Sequence, residues 1–498
     1  MITITRSQLR RLRAVFRRAL RLSSRDVGPN LLFATGADCL RIRAQNHHAA
    51  VEYHTQGVFP AERICVPFAL LADCEGTKDE PVNLEQTPEG KVTAQWTDRK
   101  IPQRVQYDST PSEVPIFPVV PSTMAENEVG LWQALADATD TTEANAARYA
   151  TNNVQLRGTG GRIVATDGRQ LLVQRGFNFP WEDDVLVPRS TLFTCKDLLV
   201  NAPLLIGKSD DWLTLQSGDW TFHLAIDKDG RFPKTEDFVQ RPETAVNRLT
   251  IAPADAEFLT DAIERLPCDE EDFHRSVTVD LNGQVILRAK TSDSKAPTEL
   301  VLTRSTASGD NLRFVTNRTY LARALKLGFR ELCMYGAESP AQAMGDNRAY
   351  VWAVLAGDTA IKPSKNAVRI DSSEMQSSPA AETLPLPPPT RSVYPMVKSN
   401  RFQSQAADVT AASETAHVNG DGGNGNGGNG NGTANGNGHS SSCEPADLIE
   451  QAETLRSMLR TALGQVSDMI TALKQQKKTA KSVQTALATL RQLDRVAL

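Results

Sequence analysis

Apolar and polar positions alternate in short runs along the first 358 residues, and the pattern recurs. A strand-like run ending in a polar kink and followed by helical apolar spacing appears three times. The instances are ICVPFALLADCEG (64–76), VLVPRSTLFTCKDLLV (185–200) and RFVTNRTYLARALKLG (313–328). Val66, Val187 and Val315 hold the same place in each, 121 and 128 residues apart. Upstream of each lies a hairpin-like pair: NLLFATGADCLRIRAQ (30–45), NNVQLRGTGGRIVATDG (152–168) and SVTVDLNGQVILRAK (276–290). Short alternating strands follow downstream, such as KVTAQW (91–96) and WLTLQS (212–217). A period of about 120 residues is too long for a solenoid unit. It predicts three copies of one α+β domain, at 1–122, 123–245 and 246–358. Each copy is expected to set two helices against a mostly antiparallel sheet.

The pattern stops near residue 360. From 366 onward Ser, Pro, Ala, Asn and Gly dominate, ending in NGDGGNGNGGNGNGTANGNG (419–438). Such a chain cannot bury enough apolar surface to offset its ordering entropy, so 359–443 is expected to be a disordered linker. As a flexible coil it would span on the order of 50 Å. LPLPPPTRSVYP (384–395) favours polyproline II, a stiff spacer or a docking segment. Order is expected to resume at Glu444-Pro445, with proline in a first helical turn. Leu448, Ala452, Leu455, Leu459, Ala462, Val466, Met469 and Leu473 then make a heptad seam. Residues 444–498 fit one long coiled-coil helix or a two-helix hairpin, with self-association the simplest use of the seam.

The bulk composition narrows the class. A chain of 498 residues implies two to four domains. Apolar residues make up 40% with no long apolar run, which leaves no membrane-spanning candidate. The start, MITITRSQLRRLR, has charge without a following apolar stretch and does not read as a signal peptide. The net charge of −4 selects no partner. Cys39, Cys65, Cys74, Cys195, Cys268, Cys333 and Cys443 form no CxxC pair, which suits a reducing cytoplasm better than a disulfide or zinc framework.

Four landmarks in register carry a family resemblance: VATDG closing the middle hairpin, VLVPRSTLF, DGRFP (229–233) and YVWAVLAG (350–357). Within a triplicated chain they resemble the bacterial DNA polymerase III beta sliding clamp over residues 1–357. The resemblance implies three clamp domains per subunit and two subunits joined head to tail as a homodimeric ring. Sheets would form the outer wall, and helices would line a hole through which duplex DNA passes. It also implies no catalysis, no cofactor and no metal, but a tether for DNA polymerase and clamp-loader subunits, in the cytoplasm and on nucleoid DNA.

The first helix suits that role. Arg6, Arg10, Arg13, Arg17 and Arg21 fall on one stripe at 3.6 residues per turn, opposite Leu9, Leu12, Phe16 and Leu20. Arg11, Arg18 and Arg25 extend the charge, fit for phosphate contacts without base reading. Arg148-Tyr149 resembles a family segment near the channel mouth. The corresponding helices NEVGLWQALADATDTTEANAARY (127–149) and APADAEFLTDAIERLP (252–267) are acidic, and the second helices add only Arg189, Lys196, Arg318, Arg323 and Lys326.

By the same resemblance, the hairpin IVATDGRQLLVQ (163–174) and the last strand frame a pocket for linear peptides. Its residues carry over as Thr166, Gly168, Arg169, Gln170 and Leu171, with Pro242, Val351, Ala353 and Leu355. Arg169-Gln170 replaces the family's His-Arg, Thr151 sits where an apolar side chain is usual, and Ala353 replaces a methionine. Methionine lets a promiscuous pocket repack, so its loss implies altered specificity. The terminal QLDRVAL (492–498) begins like the family's Gln-Leu peptides without their aromatic end. Pro102, in the strand that joins subunits, removes a backbone donor and bears on ring closure.

No phosphate loop, HExxH or GxSxG occurs in the sequence. His47-His48 with His54, and the acidic run 269–272, read as surface features rather than metal sites. The sequence points to a clamp-like processivity factor, with a clamp-derived scaffold that binds proteins without encircling DNA as the alternative.

Overall fold

The structure, a computed structural model, describes residues 1–36, 38–109, 116–144, 149–198 and 202–373. One string of elements is written three times along it. The first copy opens with β1 (Ile2–Thr5), α1 (Arg6–Ala19), β2 (Leu31–Thr35), β3 (Cys39–Gln45) and β4 (Ala49–Gln56). It continues through β5 (Arg63–Val66), α2 (Ala69–Cys74), β6 (Pro81–Gln86), β7 (Lys91–Asp98) and β8 (Ile101–Asp108). The second copy has β9 (Ala125–Asn127), α3 (Gly130–Thr141), β10 (Asn153–Arg157), β11 (Arg162–Thr166) and β12 (Gln170–Arg175). It ends with β13 (Asp184–Pro188), a 3-10 turn (Thr191–Thr194), β14 (Leu204–Lys208), β15 (Trp212–Ser217) and β16 (Trp220–Ala225). The third has β17 (Asn247–Thr250), α4 (Pro253–Ala262), β18 (Ser276–Asp280), β19 (Val285–Ala289), β20 (Thr298–Leu302) and an extra β21 (Thr306–Gly309). It closes with β22 (Arg313–Asn317), α5 (Arg318–Lys326), β23 (Glu331–Met334), β24 (Ala341–Gly345), β25 (Arg348–Trp352) and β26 (Val368–Asp371).

The strands form four sheets, and two of them cross from one copy to the next. The orders are β1-β6-β7-β8, β5-β2-β3-β4-β16-β15-β14-β9, β13-β10-β11-β12-β25-β24-β23-β17-β21 and β22-β18-β19-β20-β26. The crossings are antiparallel joints, β4 on β16 and β12 on β25. Val66, Val187 and Val315 lie in β5, β13 and β22, the corresponding end strands of their sheets. The helices lie side by side as one layer. α1 touches α2 and the 3-10 turn, that turn touches α3, and α4 packs on α5. Arg323 of α5 reaches α3 at the Asp137 carbonyl, 2.9 Å away.

Local chemistry explains the helix ends. Thr5 and Gln8 make a reciprocal capping box at the start of α1, with Gln8 N to Thr5 Oγ1 at 3.2 Å and Thr5 N to Gln8 Oε1 at 3.0 Å. Leu9, Leu12, Val15, Phe16 and Ala19 then bury one face. Where a helix is expected to follow the strand within 185–200, the described residues show a 3-10 turn at Thr191–Thr194. Its carbonyls are taken by neighbours, Phe193 O by the Trp132 indole at 3.1 Å and Thr191 O by Arg18 at 3.4 Å. A second difference lies past residue 359, where disorder was expected. Val368–Asp371 is a strand, because its donors find β20 and Ile370 packs on the third copy's core. The rest of the linker from 374, and the heptad helix at 444–498, lie outside the described residues.

The first joint holds a buried titratable group. His223, in β16, is fully buried with Nδ1 2.9 Å from Thr214 Oγ1. Burial, aided by the charge of Arg43, pulls the imidazole down from 6.5 to about 4. A depressed histidine stays neutral in the fold while the unfolded chain takes up its proton. Stability is therefore full above about 6.5 and falls as pH drops towards about 4. The loss is roughly 3 kcal/mol over that window. Thermal midpoints measured from pH 7 to pH 4 are expected to fall more steeply for the parent than for His223→Gln. Parallel curves would refute it.

Candidate functional site

The middle hairpin turns over Asp167-Gly168-Arg169. Asp167 Oδ1 accepts the amides of Arg169 and Gln170, both at 2.8 Å, and Thr166 Oγ1 accepts the Gly168 amide at 3.0 Å. Gly168 sits at φ 85°, a conformation that a β-carbon would strain. The hairpin is held against the last strand by pairing Leu171 with Val351 and Gln170 with Trp352, and by Ala353 N to Arg169 O at 2.8 Å. Gln170 is tied down on both sides. Its amide donates to Asp167 Oδ2 at 2.9 Å, and its carbonyl accepts the Tyr350 hydroxyl at 2.6 Å. Burial pushes the Tyr350 phenol up, so it stays a neutral donor.

Side chains alternate across this sheet. Leu172, Tyr350 and Trp352 join the third copy's core, while Val164, Leu171, Val173 and Val351 make a separate cluster with Phe232 and Val239. Beside that second cluster opens a cavity of about 310 Å³. Thr166, Gly168, Arg169, Gln170, Leu171, Val351 and Ala353 all line it, so seven of the nine residues named from the sequence converge. The other two do not reach it. Pro242 begins a 3-10 turn and offers its carbonyl to Arg248 at 2.8 Å, and Leu355 bridges to Val315.

Sequence reasoning missed part of the wall. Pro233, Lys234, Thr235, Phe238 and Pro340 line the cavity, with Phe238 57% exposed. Pro233 closes the DGRFP segment, which was a usable signal; Phe238 and Pro340 carried none. Tyr149, assigned to DNA from the sequence, lines the same cavity together with Thr151.

The arginines of the first helix divide into two sets. Arg6 is only 12% exposed, paired with Glu80 at 2.9 Å and Asp98 at 3.0 Å, and it also donates to the Glu75 carbonyl. Arg13 pairs with Glu75 at 2.6 Å. These two hold α1 to the rest of its own domain, and the uniform stripe is broken there. Arg10, Arg17, Arg18, Arg21 and Arg25 form no ion pair among the described residues. Arg21 lies past the helix end at φ 56°, off the helical stripe. Arg17, Arg18 and Arg21 meet Arg189 around a concavity of about 450 Å³ floored by Ala14 and Leu22. Desolvation and then the charge of Arg189 hold Arg21 below the ordinary guanidinium value.

Other predicted cations serve the fold. Arg318 is wholly buried and donates to main-chain carbonyls, among them Arg275 O at 2.7 Å and Pro267 O at 2.9 Å. Arg148 lies outside the described residues. The acidic run is occupied too, with Asp272 accepting Ser276 N at 2.8 Å and Asp269 accepting Ser292 N at 3.0 Å. Among the described residues no cluster of His, Cys, Asp and Glu could hold a metal, and no helix is long and apolar enough to cross a membrane.

No family model and no curated protein sequence matches the chain. Solved structures do. The DNA polymerase III subunit beta of Pseudomonas aeruginosa superposes with a TM-score of 0.58 at 21% identity, over 71% of this chain and 99% of that one. The beta subunit of Thermotoga maritima gives a TM-score of 0.58 at 16% identity, with the same 71% and 99% coverage. That of Borrelia burgdorferi, solved in complex with a natural product, gives 0.59 at 10% identity, over 71% and 97%. Identities this low speak to the fold: the chain has the fold of the DNA polymerase III beta sliding clamps.

Proposed function

We propose that the chain is a non-catalytic clamp-type processivity factor acting on DNA in the cytoplasm. In this reading two copies join head to tail around duplex DNA. Partners such as a polymerase or a clamp loader insert a short apolar peptide into the cavity at the β12–β25 joint. The observation that carries the reading is the separation of two surfaces. Arginines without an ion pair among the described residues lie on the helical layer, and an apolar cleft with an exposed aromatic rim opens at a strand joint on the sheet. Arginines that face solvent without acidic partners attract phosphates of any sequence. A cleft lined by Leu171 and Val351 with the exposed Phe238 beside them suits a linear apolar peptide.

Truncating the rim tests the cleft. A synthetic peptide beginning Gln-Leu and ending in Phe serves as probe, beside QLDRVAL from the chain's own end. Phe238→Ala is expected to weaken the aromatic probe by roughly thirtyfold, the usual cost of losing an aromatic anchor. Because Phe238 is largely exposed, the thermal midpoint should not move. Equal binding to the parent and the variant, measured by fluorescence anisotropy, would count against the cleft.

A second reading has its own observation. Arg6 and Arg13 are neutralised, and α3 and α4 present Asp140, Glu257 and Asp261 without an ion partner among the described residues. A scaffold that holds proteins without DNA fits that charge pattern. A folded chain with peptide affinity and no salt-sensitive duplex binding selects it.

A further inference from the structure

The two joints inside the chain obey one rule. Each pairs the third strand of one copy's first hairpin run with the third strand of the next copy's second run, β4 with β16 and β12 with β25, both antiparallel. The same rule leaves two ends over: β20, third strand of the third copy, and β8, last strand of the first. They do not pair within this chain, and head-to-tail repetition of one joint between molecules would close a ring. β8 is open on the side away from β7 among the described residues, with Ile101 62% exposed and Pro102 beside it.

The outer edge of β20 is not open. β26 lies along it in parallel, matching Thr298 with Val368 and Val301 with Asp371. Val368 N donates to Pro297 O at 2.9 Å and Ser372 N to Val301 O at 3.0 Å. Ser372 is the anchor. Buried at the strand's end, its hydroxyl lies 2.6 Å from Asp255 Oδ1 and accepts the Thr303 amide at 3.1 Å. Otherwise the strand is held lightly, for Val368 is 59% exposed and only four residues pair. β26 runs parallel where both internal joints are antiparallel, and it lies beyond residues 1–357, the stretch that resembles the clamps. It is an addition that occupies the edge a second copy would need.

We propose that β26 is a cap in cis on the subunit-joining edge, and that β8 of a second copy pairs with β20 only after β26 leaves. The proposal deepens the clamp reading by giving it a gate, and it rests on the fold and the strand rule rather than on DNA. A linear edge holds one strand at a time, so cap and partner compete for the same donors and acceptors of β20. The exchange is helped by any high local concentration of copies.

The test is a photo-cross-link in the full chain. p-Benzoylphenylalanine replaces Arg104 in β8, light and heavy isotope-labelled chains are mixed, and mass spectrometry finds where the second chain is attached. In the capped parent, attachment to 298–302 of another copy should stay near background. Ile370→Pro removes a ladder donor and an apolar contact from β26. There the same attachment should rise roughly tenfold, as expected when the competent fraction goes from about a tenth to nearly one. Ser372→Asp is the second variant. It sets a carboxylate against Asp255 and expels the strand's end without touching the aliphatic core. Hydrogen exchange at 298–302 in dilute protein reports release of the cap in either variant. A parent that cross-links as well as the variants overturns the proposal. So does a variant with a released cap and no new attachment. No DNA is present, so a failure here is distinct from a failure to bind duplex.

Discussion

Arg318→Met is expected to destabilise the third copy by on the order of 4 kcal/mol. The side chain is wholly buried at the start of α5, and its guanidinium feeds the carbonyls of Ile263, Leu266, Pro267, Arg275 and Ser276. Those carbonyls follow α4 and lead into β18; Ile263 O and Arg275 O also take an amide, but at 3.4 Å each, so the guanidinium is the close donor for the group. Methionine fills much of the volume but leaves the carbonyls of Leu266, Pro267 and Ser276 without the guanidinium, which costs far more than the mean worth of a hydrogen bond. Lysine should rescue little, because three donors on a point charge cannot serve a fan of five carbonyls. Urea denaturation followed by hydrogen exchange over 253–330 measures it. An unchanged midpoint for Arg318→Met would remove the argument.

The triple variant Arg17→Gln, Arg18→Gln, Arg189→Gln is expected to lower duplex affinity by on the order of 10² to 10³ at 0.1 M salt. Each phosphate contact contributes about 0.9 to the slope of log K against log salt, and that contribution fades near 1 M, so each is worth nearly tenfold at 0.1 M. The slope itself should fall by about three. Peptide binding should not change, since none of the three residues lines the cleft. The fold should survive as well, because Arg17 and Arg18 make only long carbonyl contacts of 3.5 and 3.4 Å. Titrating two unrelated duplexes at several salt concentrations checks it. A parent slope near zero, or a variant slope equal to the parent's, would end the phosphate reading of this face.

Legibility differed between the two surfaces for a physical reason. The cleft depends on strand alternation and on one turn, both local in sequence. Thr166 to Leu171 could be named because a Thr-Asp-Gly turn between apolar runs has few conformations open to it. Phe238 and Pro340 could not, because only the tertiary path brings them to that rim. The basic face depends on charge pairing, which periodicity does not report. Arg6 and Arg10 look alike on a helical projection, yet Glu80 and Asp98 come to Arg6 from more than 70 residues away. Arg318 was misread for the same reason, as a surface cation that proved to be a buried clasp.

The triplication, the succession of strands and helices and the hairpin at the cleft were legible from residue order alone. These follow from periods of 2 and 3.6 and from turn chemistry, interactions that span a few residues. Long-range contacts settled which arginines lack an ion pair among the described residues, the 3-10 turn at Thr191–Thr194, and what lies on the outer edge of β20. Each of those was settled by a partner distant in sequence: carboxylates closing on Arg6, Trp132 taking the Phe193 carbonyl, and Asp255 binding Ser372. The last matters most for assembly. VRID at 368–371 has no pattern that separates it from the polar tail around it, and it becomes a strand because β20 offers an unfilled ladder and Asp255 a buried acceptor.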